Sequence, residues 1–449
     1  MTKGSILGHL LHLAAFMSVS MVLQTLYFLI DLYFVSSIGK EAVAGVSLVG
    51  NLQLAVLALT QMLGVGTTTL IAHATGRGDR EDARTVFNQA CLLSVVLGAG
   101  VWIAGYLLSG PYCRGLSADA ATIEQAEAYL LWFVPSLGLQ FPLVAMGSAL
   151  RGIGLVKPGL VVQVLSVGLN AILAPVLIAG WGTGRPLGVA GAALSTLGAL
   201  IVGVLAMTWY VRNAGSHIAF DPQQWTPRFD VWKRMLNIGL PAGGEFALFS
   251  LYGSVVYWII RGFGASAQAG FGIGGRVMQS VFLPVMAISF AASPLAGQNF
   301  GARRHDRVRD TFRMAALLGS VLMLCATLLC QLSPATLIRP FTRDAAVISF
   351  GTEYLTIASW TFVASGLIFT ISGLFQALGN TWPSLACSAT RIVLFVLPAI
   401  WLSAQPGFAL RHLWYLSVVT IAIQAGVSFA MLQREFRRKL APVTPPAGL

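Results

Sequence analysis

Long stretches almost free of charge recur twelve times along this chain of 449 residues. Hydropathy and loop signals place them at 8–35, 44–72, 87–109, 122–148, 160–180, 188–211, 236–260, 268–296, 312–333, 348–376, 384–404 and 412–433. Each has about the 20 residues a helix needs to cross the hydrocarbon core of a bilayer. Inside hydrocarbon the backbone must satisfy its own N–H and C=O groups, which leaves helices as the form for such segments. The predicted fold class is all-α and integral to the membrane. Only 10% of the residues are charged, against about a quarter in soluble proteins. Most of the chain lies in the apolar stretches, so they are the protein and not an anchor for a soluble domain. The run that follows Lys3 reaches Val35, too long for a signal-peptide core and without a small-residue cleavage site; it is expected to stay as an uncleaved first span.

A formal net charge of +12 invites a nucleic-acid reading, but the positions of the basic residues exclude it. The N-terminus, the even-numbered connections and the tail carry 18 Lys and Arg; the opposite loops carry 7. The positive-inside rule then puts both termini in the cytoplasm. The clusters "RGDREDAR" (77–84) and "ARRHDRVRD" (302–310) are expected as solvated loops facing lipid headgroups. No nucleic-acid partner is expected.

The two halves repeat at a shift of 225 residues. Gly39 meets Gly264, Gly76 meets Gly301, Arg84 meets Arg309, Asp119-Ala120 meets Asp344-Ala345, Tyr129 meets Tyr354, Gly154 meets Gly379 and Pro158 meets Pro383. One register catching the turn residues of several loops marks a duplication. Six helices per half insert the same way up, giving two parallel six-helix repeats related by a pseudo-twofold along the membrane normal. The expected division is 1–211 and 236–433, joined by a cytoplasmic linker at 212–235 and followed by a cytoplasmic tail at 434–449. Such pairs of bundles typically work by alternating access.

Within this apolar frame one acid stands out. Asp31 lies in "QTLYFLIDLYFV" (24–35). Placing it ionised at mid-bilayer costs about 3 kcal/mol on insertion scales. Neutralising it at pH 7 from an ordinary value of about 3.9 costs about 4 kcal/mol. The costs are close, so modest changes in hydration or partners can load or unload a proton. Gln24, Tyr27 and Asp31 share a helical face, and a polar stripe should face the bundle interior. The plainer alternative is an acid solvated at the outer end of the span.

Glu245, in "LPAGGEFALF", reads either as a second cavity carboxylate attractive to cations or as a helix-start residue. Arg276 and Arg391 are candidate cavity cations that either pair with these acids or snorkel to an interface. The prolines within spans, such as Pro175 and Pro398, are kink sites. Gly270, Gly272 and Gly275 spell GxGxxG, but the nucleotide motif needs a soluble strand–turn–helix; here the glycines open a membrane helix, where small residues allow close packing. The five cysteines and six histidines show neither a disulfide framework nor a metal-ligand spacing, and there is no GxxxxGK[ST]. No cofactor is expected, and the chain is not expected to be an enzyme.

"QTLYFLIDLYFVSSIGKEAVAGVSLV" (24–49), "GLPAGGEFALFS" (239–250), "AGFGIGGRV" and "GQNFGARR" resemble the signatures of the multidrug and toxic compound extrusion (MATE) family, most closely its DinF-type branch. The resemblance implies a V-shaped, twelve-helix, monomeric transporter of the bacterial inner membrane that exports bulky cationic or amphipathic drugs in exchange for protons or sodium. It also implies that Gln24, Tyr27, Asp31, Asn170 and Thr196 form a polar coupling network in the first half. Two positions depart from the family pattern: Ala174 where an acid is frequent, and Phe16 where a proline is frequent. Without the second acid a dedicated sodium site loses an oxygen ligand, so proton coupling is favoured and sodium is the alternative. A lipid or lipid-linked oligosaccharide flippase of the same superfamily is the rival function and would want a basic cavity built on Arg276 and Arg391. An intramembrane hydrolase pairing Asp31 with Glu245 is a distant third.

Overall fold

The computed structural model describes residues 1–116, 119–182, 184–213 and 218–440. His217, the 214–217 part of the predicted linker and residues 441–449 of the predicted tail lie outside them. Regular structure among the described residues is entirely helical, and twelve helical segments are long and apolar enough to span a membrane. In the first half they are α1 (Ile6–Ser36), α2 (Lys40–Arg77), α3 (Arg80–Leu116), α4 (Ala120–Ile153), α5 (Lys157–Ile178) and α6 (Gly188–Asn213). The second half holds α7 (Phe229–Ile260), α8 (Ala265–Gly301), α9 (His305–Leu332), a short α10 (Pro334–Ile338), α11 (Ala345–Ala358), α12 (Phe362–Ala377), α13 (Trp382–Ser403) and α14 (Leu410–Lys439). Most helices outrun the apolar stretches predicted for them. Hydropathy marks the hydrocarbon core, whereas a helix continues until something caps it.

The caps carry the duplication. Asp119 accepts from the Thr122 amide at 3.0 Å at the start of α4. Its counterpart Asp344 accepts from the Ala346 and Val347 amides at the start of α11. Side-chain capping of this kind satisfies N–H groups that have no intrahelical partner. Gly154 and Gly379, also 225 apart, both take left-handed conformations, with φ of 90° and 68°, where a residue without Cβ ends a helix at no steric cost.

The predicted tenth span, 348–376, is not one helix. A 3₁₀ turn at Ser359–Thr361 separates α11 from α12. No proline or glycine lies in "TIASWT" (356–361), so the break had no local sign in the sequence. It is held from α9: Gln331 donates to the Thr356 carbonyl at 2.7 Å and the Ser359 hydroxyl at 2.8 Å. Thr327 donates to the Ser359 carbonyl at 3.0 Å. Irregular backbone at membrane depth survives where neighbouring side chains satisfy it.

Contacts divide the chain differently from the predicted 1–211 and 236–433. One compact unit runs from Ala15 to Gly243; the other comprises Met1–Ala14 and the chain from Gly244 onward. The boundaries fall inside α1 and α7, not at the linker. A helix of about 30 residues is long enough to place its two ends in different bundles, so the end of a repeat need not be the edge of a packing unit. In the first unit the early turns of α7 lie against α2: a Cβ at Gly239 would strike the Met62 carbonyl, and one at Gly66 the Met235 carbonyl. Gly98 of α3 also approaches the backbone of Gly138 in α4, where a Cβ would lie 2.6 Å from its carbonyl oxygen. The described part of the linker also belongs to this unit. Gln89 donates to the Gln224 and Thr226 carbonyls at 2.6 and 2.8 Å and accepts from the Arg228 amide at 2.9 Å. Asn88 binds the Ala219 carbonyl and the Asp221 amide, both at 2.9 Å.

In the second unit Gly270, part of the GxGxxG string, meets the backbone of Gly351 across α8 and α11, a helix-packing role. The basic clusters are more than solvated loops. Arg304 donates to the Thr2 carbonyl at 2.9 Å and Arg309 to the Leu440 carbonyl at 3.1 Å. Arg84 pairs with Asp221 of the linker at 3.1 Å. A guanidinium has enough donors to satisfy loop carbonyls while its remaining edge stays hydrated.

Candidate functional site

α1 carries Tyr27 and Asp31 one turn apart, and both are half-buried. α5 and α6 bring polar side chains to the same spot. The Asn170 amide donates to one carboxylate oxygen of Asp31 at 3.1 Å. The Thr196 hydroxyl donates to the other at 3.1 Å. Asn170 is fully buried and Thr196 nearly so. Ser195 lies 3.3 Å from the Asn170 amide and is itself fixed by donating to the Ala192 carbonyl at 2.8 Å. The Tyr27 hydroxyl sits beside Thr196 and Asn170, but no partner meets hydrogen-bond geometry; the Asn170 carbonyl oxygen is likewise buried and unpartnered. Tyr129 of α4 comes close enough to feel both Asp31 and Tyr27.

Asp31 is therefore not an acid solvated at the end of a span. Both oxygens are engaged by neutral donors, and among the described residues no lysine, arginine or histidine lies within ion-pair distance of it. A cationic partner would fix the carboxylate as an anion, whereas amide and hydroxyl donors leave both protonation states open. A cation placed here would find one carboxylate, the Asn170 carbonyl and nearby hydroxyls.

The sequence-predicted residues divide accordingly. Tyr27, Asp31, Asn170 and Thr196 are brought together. Gln24 is not: it is exposed and no bond ties it to the cluster. Seven residues put it on the Asp31 face but about 10 Å further down the helix axis, at a different depth from Asn170 and Thr196. Ser195 and Tyr129 were missed. Tyr129 had one signal, its match to Tyr354 in the repeat; Ser195 had only its position next to Thr196.

The site has no twin. In the repeat register Asp31, Asn170 and Thr196 correspond to Val256, Phe395 and Ile421, all buried. Tyr27 corresponds to Tyr252, whose ring packs 4.7 Å from that of Phe395. The second half filled this position with apolar side chains. Its own acid, Glu245, falls eleven residues earlier in the register. There Glu245 accepts from the Ser372 hydroxyl at 3.1 Å, with Ser384 alongside and one carboxylate oxygen buried without a partner. The two acids have separate partners, each within its own unit.

Arg276 and Arg391 do not pair with either acid. Arg276 is exposed. The Arg391 guanidinium lies 4.7 Å from the centre of the Tyr252 ring, a cation–π contact, and its Nε is buried and unpartnered. Nothing in their placement favours the basic cavity that a flippase would want.

Twelve spans and an internal duplication define a polytopic helical membrane protein. The chain belongs to the MatE family: the family profile matches residues 17–176 and again 241–402. The two matches begin 224 residues apart, within one residue of the register read from the loops. Members of this family are transporters, not enzymes. Among similar proteins are a "Probable multidrug resistance protein YpnP" of Bacillus subtilis, 26% identical over 95% of this chain and 93% of that one, and a "FAD transporter" of Shewanella oneidensis, 25% identical over 82% of each. A "Multidrug export protein MepA" of Staphylococcus aureus is 24% identical over 84% of this chain and 83% of that one. Among solved structures, an outward-facing MATE transporter of the MOP superfamily superposes with a TM-score of 0.90 at 23% identity, covering 98% of this chain and 97% of that one. A MOP superfamily transporter from Pyrococcus furiosus gives 0.89 at 23% identity, covering 98% and 97%. These structures share the fold.

Proposed function

We propose that this protein is a secondary active exporter of bulky cationic or amphipathic compounds, driven by counterflow of protons through alternating access. The observation that carries the reading is the Asp31 carboxylate, bound by Asn170 and Thr196 at 3.1 Å each with no cationic side chain within ion-pair distance among the described residues. A group so placed releases its proton when water reaches it and takes one up when it is closed off, because desolvation disfavours the charged form. Asn170 and Thr196 orient it, Tyr27 and Tyr129 wall the site, and Glu245 adds a second carboxylate that attracts cations. Ala174 supports protons over sodium, since the fully buried alanine stands where an additional acid would supply a metal-ion ligand. Drug-export names among the similar proteins support the substrate class. The basic residue bias supports cytoplasmic termini in a bacterial inner membrane.

The deciding experiment is transport into proteoliposomes with pH and sodium gradients imposed separately. The reading expects a fluorescent organic cation to accumulate under the pH gradient alone. Accumulation driven only by sodium at uniform pH would overturn proton coupling, and accumulation of FAD with indifference to organic cations would overturn the substrate class.

A further inference from the structure

Beside the linker, between α3, α4 and α6 and lined by none of the residues of the Asp31 cluster, lies a cavity of about 500 Å³, within the usual size of small-molecule pockets. Its walls are Val95, Met146, Val204, Phe220 and Trp225, and among the described residues Arg212 is the one charged group that lines it. Arg212 is exposed, its guanidinium stands 6.0 Å from the centre of the Phe220 ring, and no carboxylate among the described residues pairs with it. The floor is preformed, because Asn88 and Gln89 hold the linker that supplies Phe220 and Trp225.

The rim faces lipid. Val95 is 50% exposed, and Leu205 and Trp209 on the flank of α6 are 64% and 68% exposed. Exposed apolar side chains on a bilayer-spanning helix meet acyl chains, and tryptophan collects at headgroup level. Arg212 lies one turn beyond Trp209, at the end of the span. The cavity therefore offers apolar walls at acyl-chain depth and an unpaired cation at headgroup depth. A cationic drug is disfavoured by Arg212, and a soluble anion would leave the apolar walls unused.

We propose that this cavity binds one anionic phospholipid, with its phosphate on Arg212 and an acyl chain along Val95, Met146 and Val204. Basic pockets between membrane helices are established headgroup sites. The orientation proposed above assigns this lipid to the cytoplasmic leaflet, and in that respect alone the inference rests on that reading.

The test uses the purified full chain in detergent, titrated with phosphatidylglycerol or with phosphatidylcholine of the same acyl chains, with bound lipid counted by native mass spectrometry. Phosphatidylglycerol should bind about fivefold more tightly, the worth of one basic residue at headgroup level. Arg212→Ala should abolish that preference and Arg212→Lys should keep most of it. Val204→Trp fills the cavity while leaving Arg212 in place and should remove the tightly held lipid. Equal affinity for the two lipids in the wild-type chain, or unchanged retention in both Arg212→Ala and Val204→Trp, would overturn the proposal. Competition by glycerol phosphate as potent as by the lipid would also overturn it, in favour of a soluble anion. Asp31→Asn should bind the lipid as the wild type does, so failure of the coupling mechanism leaves this result standing.

Discussion

Replacing Asp31 with asparagine separates carrying a proton from merely occupying the site. The side chain keeps its size, its remaining oxygen can accept from Asn170, and its amide nitrogen can donate to the Thr196 hydroxyl, which turns to accept instead of donating. Both 3.1 Å contacts are then matched, so the chain should fold with its thermal midpoint little changed. The effect on coupling is of another kind. A one-unit pH step stores about 1.4 kcal/mol per proton, which sustains at most about a tenfold concentration ratio of substrate for each proton exchanged electroneutrally. If Asp31 carries the coupled proton, Asp31→Asn sustains no ratio above one, while passive exchange of labelled for unlabelled substrate persists. The assay is accumulation of a fluorescent organic cation in proteoliposomes after a one-unit pH step, with counterflow as the control for folded protein. A variant that still builds a tenfold ratio would refute the assignment of the proton to Asp31.

Other outcomes follow from particular contacts. Thr196→Val removes one of the two 3.1 Å bonds to Asp31 and should slow transport without abolishing accumulation; unchanged initial rates would show that this donor is idle. Gln89→Leu deletes three bonds to the linker backbone, worth about 1 kcal/mol each, so local opening should rise roughly a hundredfold, read as faster tryptic cleavage after Arg228. Gly98→Ala would set a Cβ 2.6 Å from the Gly138 carbonyl and should cost about 1–3 kcal/mol. Gly253→Ala, with nothing within 4 Å, should be neutral or slightly stabilising through helix propensity; their thermal midpoints distinguish the two.

The spans and the duplication were legible because both are one-dimensional signals: apolar length, and turn residues in a fixed register. Gly154 and Gly379 cap helices where the repeat placed them. Asp31 was legible as an anomaly of solvation. Its partners were a different matter, because Asn170 and Thr196 stand 139 and 165 residues away and no spacing rule connects them. Resemblance supplied those two and Gln24 with them; the structure leaves Gln24 exposed and outside the cluster, since a shared face says nothing about depth. The second half shows the limit of the repeat. Register predicts where Val256 and Phe395 fall but not that they replace a polar site with a packed apolar one, nor that Glu245 finds its serine partner from α12.

A proline bend is permanent, because the missing N–H can never be restored. The joint between α11 and α12 is of another kind. Every residue across it from Thr356 to Thr361 keeps its amide, so the backbone does not forbid a continuous helix, and the break rests on the Gln331 and Thr327 donors of α9. Straightening would leave those donors unmatched at about 1–3 kcal/mol each, so the shape of this segment is set by a neighbouring helix and not by its own backbone.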